Sequence, residues 1–371
     1  MGTGRGRQRL VNATATDLTA LLELFWHPVC TLDELDAAAP HPLRVRLLGR
    51  DLAIARTADG GHLALGDRCV HRSARLSVGW VDGDRVRCAY HGWTFGRDGR
   101  CREIPSMPDG PIPERACVPG YEAVERYGLV WVRLDGRADT CIPAHPAVDR
   151  DAAQPGTMRI VTGEPYTWPV GGPRRVENFV DLAHFAWVHD GTLGRRDEPV
   201  PPLPTIRRED GEMRFEFDPP DMDVDDSALF GHSEYRMPMP LTVSIEFWLE
   251  HGAYRHLWMT ACPVDLATSR CFWTVSRDDD LDGDDAPHLA FQAIVLEEDE
   301  PVVCNQVPPE LVLEPGFEIS VKTDKVSIEY RRWLAELAAA LAAGGPAAVR
   351  ASLDAASRPT PVSVRGVLTS T

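Results

Sequence analysis

The chain has 371 residues, 43% hydrophobic and 26% charged, which suits a folded protein of two or three domains and excludes a disordered or fibrous one. The formal net charge of −17 argues against nucleic acid or an anionic membrane as a partner. No stretch approaches the run of about 18 apolar residues that spans a bilayer. The first ten residues are basic and glycine-rich and lack the apolar stretch of a signal peptide, so a cytoplasmic location is expected. Nine cysteines, an odd count, argue for metal ligands and buried thiols rather than a disulfide framework.

In chain order, Leu18, Leu21, Leu22 and Phe25 recur at helical spacing behind Thr16-Asp17, which predicts a helical segment over about residues 10–36. From Leu43 to about Leu134 the pattern turns to short β runs separated by Gly, Asp and Pro. These are Arg44–Leu48, Leu52–Arg56, His62–Leu65, Arg85–Cys88 and Gly128–Arg133, the makings of an all-β domain. Pro143 to Gly156 reads as a linker. Beyond it, Arg175–His189 reads as a helix. Met213–Phe217, Leu241–Leu249, His256–Thr260 and Cys271–Ser276 read as strands of one antiparallel sheet, and His288–Glu300 and Lys322–Ala343 as further helices. The fold class expected is α+β, an all-β domain followed by a helix-flanked antiparallel sheet. Two acidic runs, Asp221–Asp226 and Asp278–Asp285, read as solvated loops or as a docking patch for a basic redox partner.

The strongest pattern is Cys69-Val-His71, then sixteen residues, then Cys88-Ala-Tyr-His91. Two loops that each present one Cys and one His can hold two irons, thiolates on one and imidazoles on the other, as in a Rieske [2Fe–2S] centre. Gly92 allows close backbone approach, and Trp93 and Phe95 can shield one side. A structural zinc site of Cys2His2 composition fits the same four residues on spacing alone. Cys30, Cys101, Cys117, Cys141, Cys262, Cys271 and Cys304 have no partner at ligand spacing and are expected to be buried thiols.

A second pattern is Glu177-Asn178-Phe179-Val180-Asp181-Leu182-Ala183-His184 with His189. Two histidines and a carboxylate make the facial triad that leaves open positions on Fe(II). His184 and His189 sit about 140° apart on a regular helix, so the helix must loosen or end between them if both bind one metal. Asp181, three residues before His184 and so near its face, can accept the second ring N–H of that ligand. For the third ligand, Glu297-Glu298-Asp299-Glu300 puts four acids at a helix C-terminus, against the macrodipole, which a bound cation would offset. Asp299 is the expected ligand, with Val295, Gln292, Phe291 and His288 on its face and able to line an apolar pocket or simply pack the core. Phe247, Trp248, Phe230 and Met259 are further apolar candidates, and His256 and Arg255, like Gln292, could fix a polar substrate group.

The chain resembles the Rieske non-haem iron oxygenases of α-subunit type over nearly its whole length. The resemblance rests on Cys69-Val-His71-Arg72, Cys88-Ala-Tyr-His91-Gly92-Trp93, Glu177 to His184 with His189, Glu298-Asp299-Glu300-Pro301 leading to Gln306, and Tyr330-Arg331-Arg332-Trp333-Leu334. It implies an N-terminal helical segment over 1–36, a Rieske domain over 37–145 and a catalytic iron domain over 146–371. Also implied are a [2Fe–2S] cluster on Cys69, His71, Cys88 and His91, and a mononuclear Fe(II) on His184, His189 and Asp299. Asp181 would bridge His184 to His91 of the next subunit of a homotrimer. Apart from the resemblance, Asn178, Phe291, Gln292 and Val295 are the candidate substrate-pocket residues. O2 is the implied co-substrate, with electrons passing from NAD(P)H through a flavin reductase or ferredoxin. Length and single-subunit layout resemble members of the vanillate, dicamba and caffeine demethylase types. The activity expected is therefore hydroxylation, or oxidative N- or O-demethylation, of a small aromatic or heteroaromatic compound. Cis-dihydroxylation and amine N-oxygenation are alternatives at the same site, and an electron carrier or a zinc-stapled binding protein is the non-enzyme reading. Asn305, where an acidic or small residue is commoner, departs from the family pattern without removing a ligand.

Overall fold

The computed structural model describes residues 15–217, 232–249 and 252–355. Phe230, the acidic run Asp221–Asp226 and the first residues of the expected N-terminal helix lie outside them.

The N-terminal part is less helical than its pattern predicts. Helix α1 (Ala15–Leu22) is followed by strand β1 (His27–Thr31) and helix α2 (Leu32–Ala38). Thr31 ends the strand and caps the helix at once. Its side chain accepts the Glu34 N–H, and the Glu34 carboxylate returns a bond to the Thr31 N–H. Strands β2 (Leu43–Leu47), β3 (Arg50–Arg56) and β4 (His62–Gly66) follow, then the short β5 (Trp80–Asp82), β6 (Arg85–Arg87), β7 (Thr94–Phe95) and β8 (Cys101–Glu103), and β9 (Gly120–Arg126) and β10 (Leu129–Arg133). They form a six-stranded antiparallel sheet in the order β1-β10-β9-β4-β3-β2 and a four-stranded one, β5-β6-β7-β8. The β1 strand pairs with β10, so the N-terminal segment is stitched into this sheet.

The stretch read as a linker contains helix α3 (Pro146–Ala153), with Pro146 in its first turn and the His145 ring accepting the Val148 N–H. Proline there starts a helix rather than breaking one, because the N–H it lacks would have no partner. Next come β11 (Arg159–Thr162), β12 (Tyr166–Trp168), α4 (Gly172–Val180) and α5 (Phe185–Val188). Strands β13 (Arg207–Glu209), β14 (Glu212–Phe217), β15 (His232–Pro238), β16 (Thr242–Trp248), β17 (Tyr254–Pro263) and β18 (Ser269–Arg277) complete an eight-stranded antiparallel sheet in the order β11-β18-β17-β16-β15-β14-β13, with β12 also on β18. Helices α6 (Ala286–Val303) and α7 (Lys325–Asp354) follow. The α7 helix kinks at Gly345, with φ of 70°, just beyond the end its pattern predicts. The α+β class is as expected. No helix among the described residues is long and apolar enough to cross a membrane.

One apolar core runs between the six-stranded and eight-stranded sheets, joining Leu21, Leu52 and Trp131 to Met259, Tyr330 and Leu337. Alternation along β17 decides what each face does. Tyr254, His256 and Trp258 turn toward α3 and β10, where His256 lies 5.3 Å from the His145 ring and Trp258 6.2 Å from the Trp131 ring. Arg255, Leu257 and Met259 turn the other way, toward α4. His256 is also among the residues that border the cavity described below. It is buried, with its Nε2 bonded to the Ser244 hydroxyl at 2.8 Å.

Part of the acidic run Asp278–Asp285 is tied into the fold, while Asp280, Asp282 and Asp284 are exposed. Asp278 accepts the Tyr254 N–H at 2.7 Å, Asp279 binds Arg255, and Asp285 binds both Arg159 and Arg277. Of the expected buried thiols, Cys30, Cys101, Cys262 and Cys271 are buried, Cys304 is half-buried, and Cys117 and Cys141 are exposed.

Burial pushes His27 and His145 down to about 4. Both are neutral in the fold and take up protons only on unfolding below pH 6.5. Their contribution is thus complete above pH 6.5 and lost as pH falls toward 4, about 3 kcal/mol for each. Wild type should lose thermal stability steeply over that window, and His27→Gln should show a shallower loss in the same melts. Parallel curves would rule His27 out as a source.

Candidate active site

The two Cys/His loops are built alike. In the first, the Cys69 N–H donates to the Ala74 carbonyl at 2.8 Å and the Ser73 N–H to the Cys69 carbonyl at 3.0 Å. In the second, the Cys88 N–H donates to the Trp93 carbonyl at 2.9 Å and the Gly92 N–H to the Cys88 carbonyl at 3.0 Å. Gly92 has φ of 72°, and a Cβ there would meet Pro105 at 3.0 Å, so the tight turn requires glycine. The Cys69 and Cys88 thiols are buried side by side. Burial, with Cys88 adding to it, pushes Cys69 up to about 11. His71 and His91 face one another with ring centroids 4.5 Å apart, Trp93 stacks on His71 at 4.6 Å, and His91 is exposed. The buried Nδ1 of His71 has no hydrogen-bond partner, as an atom reserved for a metal would. A tetrahedral zinc would draw its ligand atoms within about 4 Å of one another. No three of these four donor atoms lie within 4.8 Å of one another, whereas a thiol pair facing an imidazole pair fits two irons.

The second centre forms where α4 stops. Asp181 leaves the helix with ψ of 121°, and its carboxylate accepts the Ala183 N–H at 2.9 Å. The chain turns, and α5 lasts only four residues, flanked by His184 and His189. His189, with φ of −108° and ψ of 38°, is where the helix ends, the interruption their spacing required. The two rings come to 5.0 Å. Asp299, from α6, completes the group. Its Oδ1 lies 3.5 Å from His184 Nε2 and 3.3 Å from His189 Nε2, and one donor atom of each residue lies within 4.8 Å of the others. The three donors can share one ion. Asp181 Oδ2 lies 3.5 Å from His184 Nδ1. That approach comes from the turn rather than from a shared helix face, since neither residue is inside a helix.

Behind the donors stands a layer only partly expected. His189 Nδ1 is 2.7 Å from Glu298 Oε2, and Glu298 Oε1 accepts the Thr192 hydroxyl at 2.7 Å. With Nδ1–H given to Glu298, Nε2 keeps its lone pair for a metal. Asn178 donates to Asp299 Oδ1 at 3.1 Å, and the fully buried Arg175 lies 3.4 Å from Asp299 Oδ2. Burial by itself would lower His189 and raise Asp299. The bonds from His189 to Asp299 and Glu298 reverse the first, and His189, Arg175 and His184 reverse the second. Glu298 and Arg175 were missed as site residues. The only local signal was that Glu298 adjoins Asp299 and that Arg175 stands one turn before Asn178.

A cavity of about 300 Å3 opens onto these donors. Phe291, Gln292, Val295 and His288 line it from the α6 face expected of them, with Asn178 from α4 and Phe247, Arg255 and His256 from the sheet. Arg255 is held by Asp279, and Met259 is packed in the core. Trp248 packs beside Tyr254 in a separate cluster. Asn305 is exposed and bonds the Pro301 carbonyl at the end of α6, away from the donors.

Comparison with known proteins agrees with both halves. Residues 25–122 match the Rieske [2Fe–2S] domain, and residues 173–340 match the vanillate O-demethylase oxygenase C-terminal domain. The chain is 41% identical to the methylxanthine N1-demethylase NdmA of Pseudomonas putida, over 92% of this chain and 96% of that one. It is 39% identical to the N3-demethylase NdmB of the same organism, over 85% and 89%. The solved structure of NdmA with caffeine superposes with a TM-score of 0.83, covering 91% of this chain and 96% of that one. A Rieske cluster, a mononuclear iron and oxidoreductase chemistry therefore go with this fold, and the carrier and zinc readings fall away. The chain belongs to the Rieske non-haem iron oxygenases.

Proposed function

We propose that the enzyme removes a methyl group from a ring nitrogen of a methylxanthine-class heteroaromatic. The observation that carries this reading is the cavity. It is at the lower end of the size range for small-molecule sites, is walled mainly by apolar side chains, and ends on His184, His189 and Asp299. The high identity to the two methylxanthine demethylases over most of the chain supports the substrate class.

In this reading His184, His189 and Asp299 hold the iron, and Cys69, His71, Cys88 and His91 hold the cluster. The metals, when bound, supply O2 activation and single-electron delivery. The chain supplies the rest. Glu298 fixes the ring of His189, and Asn178 braces Asp299 rather than gripping substrate, because both ends of its amide are engaged by Asp299 and Arg175. Phe291 and Val295 exclude water, and Gln292 offers a polar contact to a ring carbonyl or nitrogen. Hydroxylation of the N-methyl carbon uses one O2, two electrons and two protons and releases one water. The N–C bond of the product then breaks, the nitrogen takes the hydroxyl proton, and formaldehyde leaves.

The exposed His91 and the partly exposed Asp181 suit a contact between copies, and we assign a homotrimer in which Asp181 links His91 of one subunit to His184 of the next. A flavin reductase or ferredoxin is the electron donor, and the cytoplasm is the location.

Holoenzyme, a flavin reductase and NADH, offered caffeine or theobromine, should yield formaldehyde equimolar with a product lacking one methyl group. The C-terminal match to the vanillate O-demethylase domain supports a second reading, O-demethylation of a methoxyarene. Formaldehyde from a methoxybenzoate and none from methylxanthines would replace the first reading by the second. A product holding both atoms of labelled O2 would indicate dihydroxylation, and an N-oxide would indicate N-oxygenation.

A further inference from the structure

The two oxygens of Asp299 have different surroundings. Oδ1 faces the His184 and His189 Nε2 atoms at 3.5 and 3.3 Å and receives the Asn178 amide at 3.1 Å. Oδ2 lies 3.4 Å from Arg175 Nη1.

Arg175 is an unusual residue to find there. Its side chain is 0% exposed, and a cation wholly out of water is costly unless it is paired and hydrogen-bonded. The guanidinium lies against the rings of Trp168 and Phe179, at 4.6 and 4.5 Å from their centroids. Its Nε donates to Tyr166 Oη at 3.0 Å and its Nη1 to Asn178 Oδ1. The buried Nη2 has no hydrogen-bond partner, so the group keeps a donor in reserve. These contacts clamp the guanidinium, and Asp299 is the carboxylate in its reach.

A facial triad works because positions stay open on the iron for O2 and substrate. A carboxylate that binds through both oxygens takes up one more position than a carboxylate that binds through one. We propose that Arg175 is a positioning residue that retains Oδ2, so that Asp299 offers the iron a single oxygen and one coordination position stays free. This rests on the ligand set proposed above.

The test uses the full-length holoenzyme and near-infrared magnetic circular dichroism of the ferrous site, which reports its coordination number. Arg175→Gln should shift the ferrous bands and abolish the change that substrate binding causes in wild type. Arg175→Lys, which keeps a cation, should restore part of the wild-type signature. A purely structural role would lower the melting temperature and leave the ferrous bands unmoved. An iron-loaded Arg175→Gln protein with the wild-type signature overturns the proposal. If that variant does not assemble, the crystal structure of the iron-loaded wild type decides. One Asp299 oxygen on iron and the other on Arg175 supports the proposal, and both oxygens on iron overturns it. Failure of the ligand set is seen separately, as an Asp299→Ala protein that keeps its mononuclear iron.

Discussion

Replacing Asp181 by alanine should stop turnover while leaving both metal centres loaded. The Asp181 carboxylate lies beside His184 Nδ1 at 3.5 Å and also holds the Ala183 N–H, so it sits at the turn between α4 and α5 without being one of the three donors. Partners behind metal-bound histidines contribute up to about 100-fold, and a bridge that carries electrons as well should lose about that much or more. Asp181→Asn keeps the turn bond but not the charge, and should be nearly as inactive. The measurement is substrate-dependent O2 uptake beside iron content and the visible spectrum of the cluster. Normal uptake by Asp181→Ala would remove the bridge, whereas loss of iron would make Asp181 a support for the site instead.

Asp299→Ala should cost the protein its mononuclear iron and all oxygenase activity, while the red-brown cluster remains. It should also cost stability, because Arg175 stays buried without its carboxylate, and breaking a buried pair in this way costs about 3–5 kcal/mol. Asp299→Asn, which keeps the volume and an oxygen, should fold better and still bind iron weakly. Iron per chain, the cluster spectrum and urea unfolding read the three effects separately. Full iron content in Asp299→Ala would overturn Asp299 as a ligand.

These two outcomes depend on residues of unequal visibility in the chain. Asp299 was legible because four acids at a helix C-terminus are unfavourable without a cation, a local fact. Arg175 was not, because its role comes from a side-chain contact between α4 and α6 with a residue 124 positions away. His256 shows the same limit. Alternation along β17 is plain in the residues, but that His256 is buried against Ser244 and the His145 ring depends on where β16 and α3 pack. Helix α3 was misjudged because Pro146 signals a break until the capping His145 is in place. Strand β1 was read as helix straight through Pro28, and only its pairing with β10 makes it a strand.

The residues alone therefore marked out the expected metal-ligand sets. Cys69, His71, Cys88, His91, His184 and His189 lie within short stretches whose spacing limits the geometry, and most strands and helices follow from period and punctuation. Only the tertiary structure decided which oxygen of Asp299 lies nearest the imidazoles, that Glu298 bonds His189, that Asp278, Asp279 and Asp285 are paired with arginines, and which sheet residues border the cavity. Spacing constrains neighbours along the chain. Contacts between distant segments are set by how whole faces pack, and no local pattern records that.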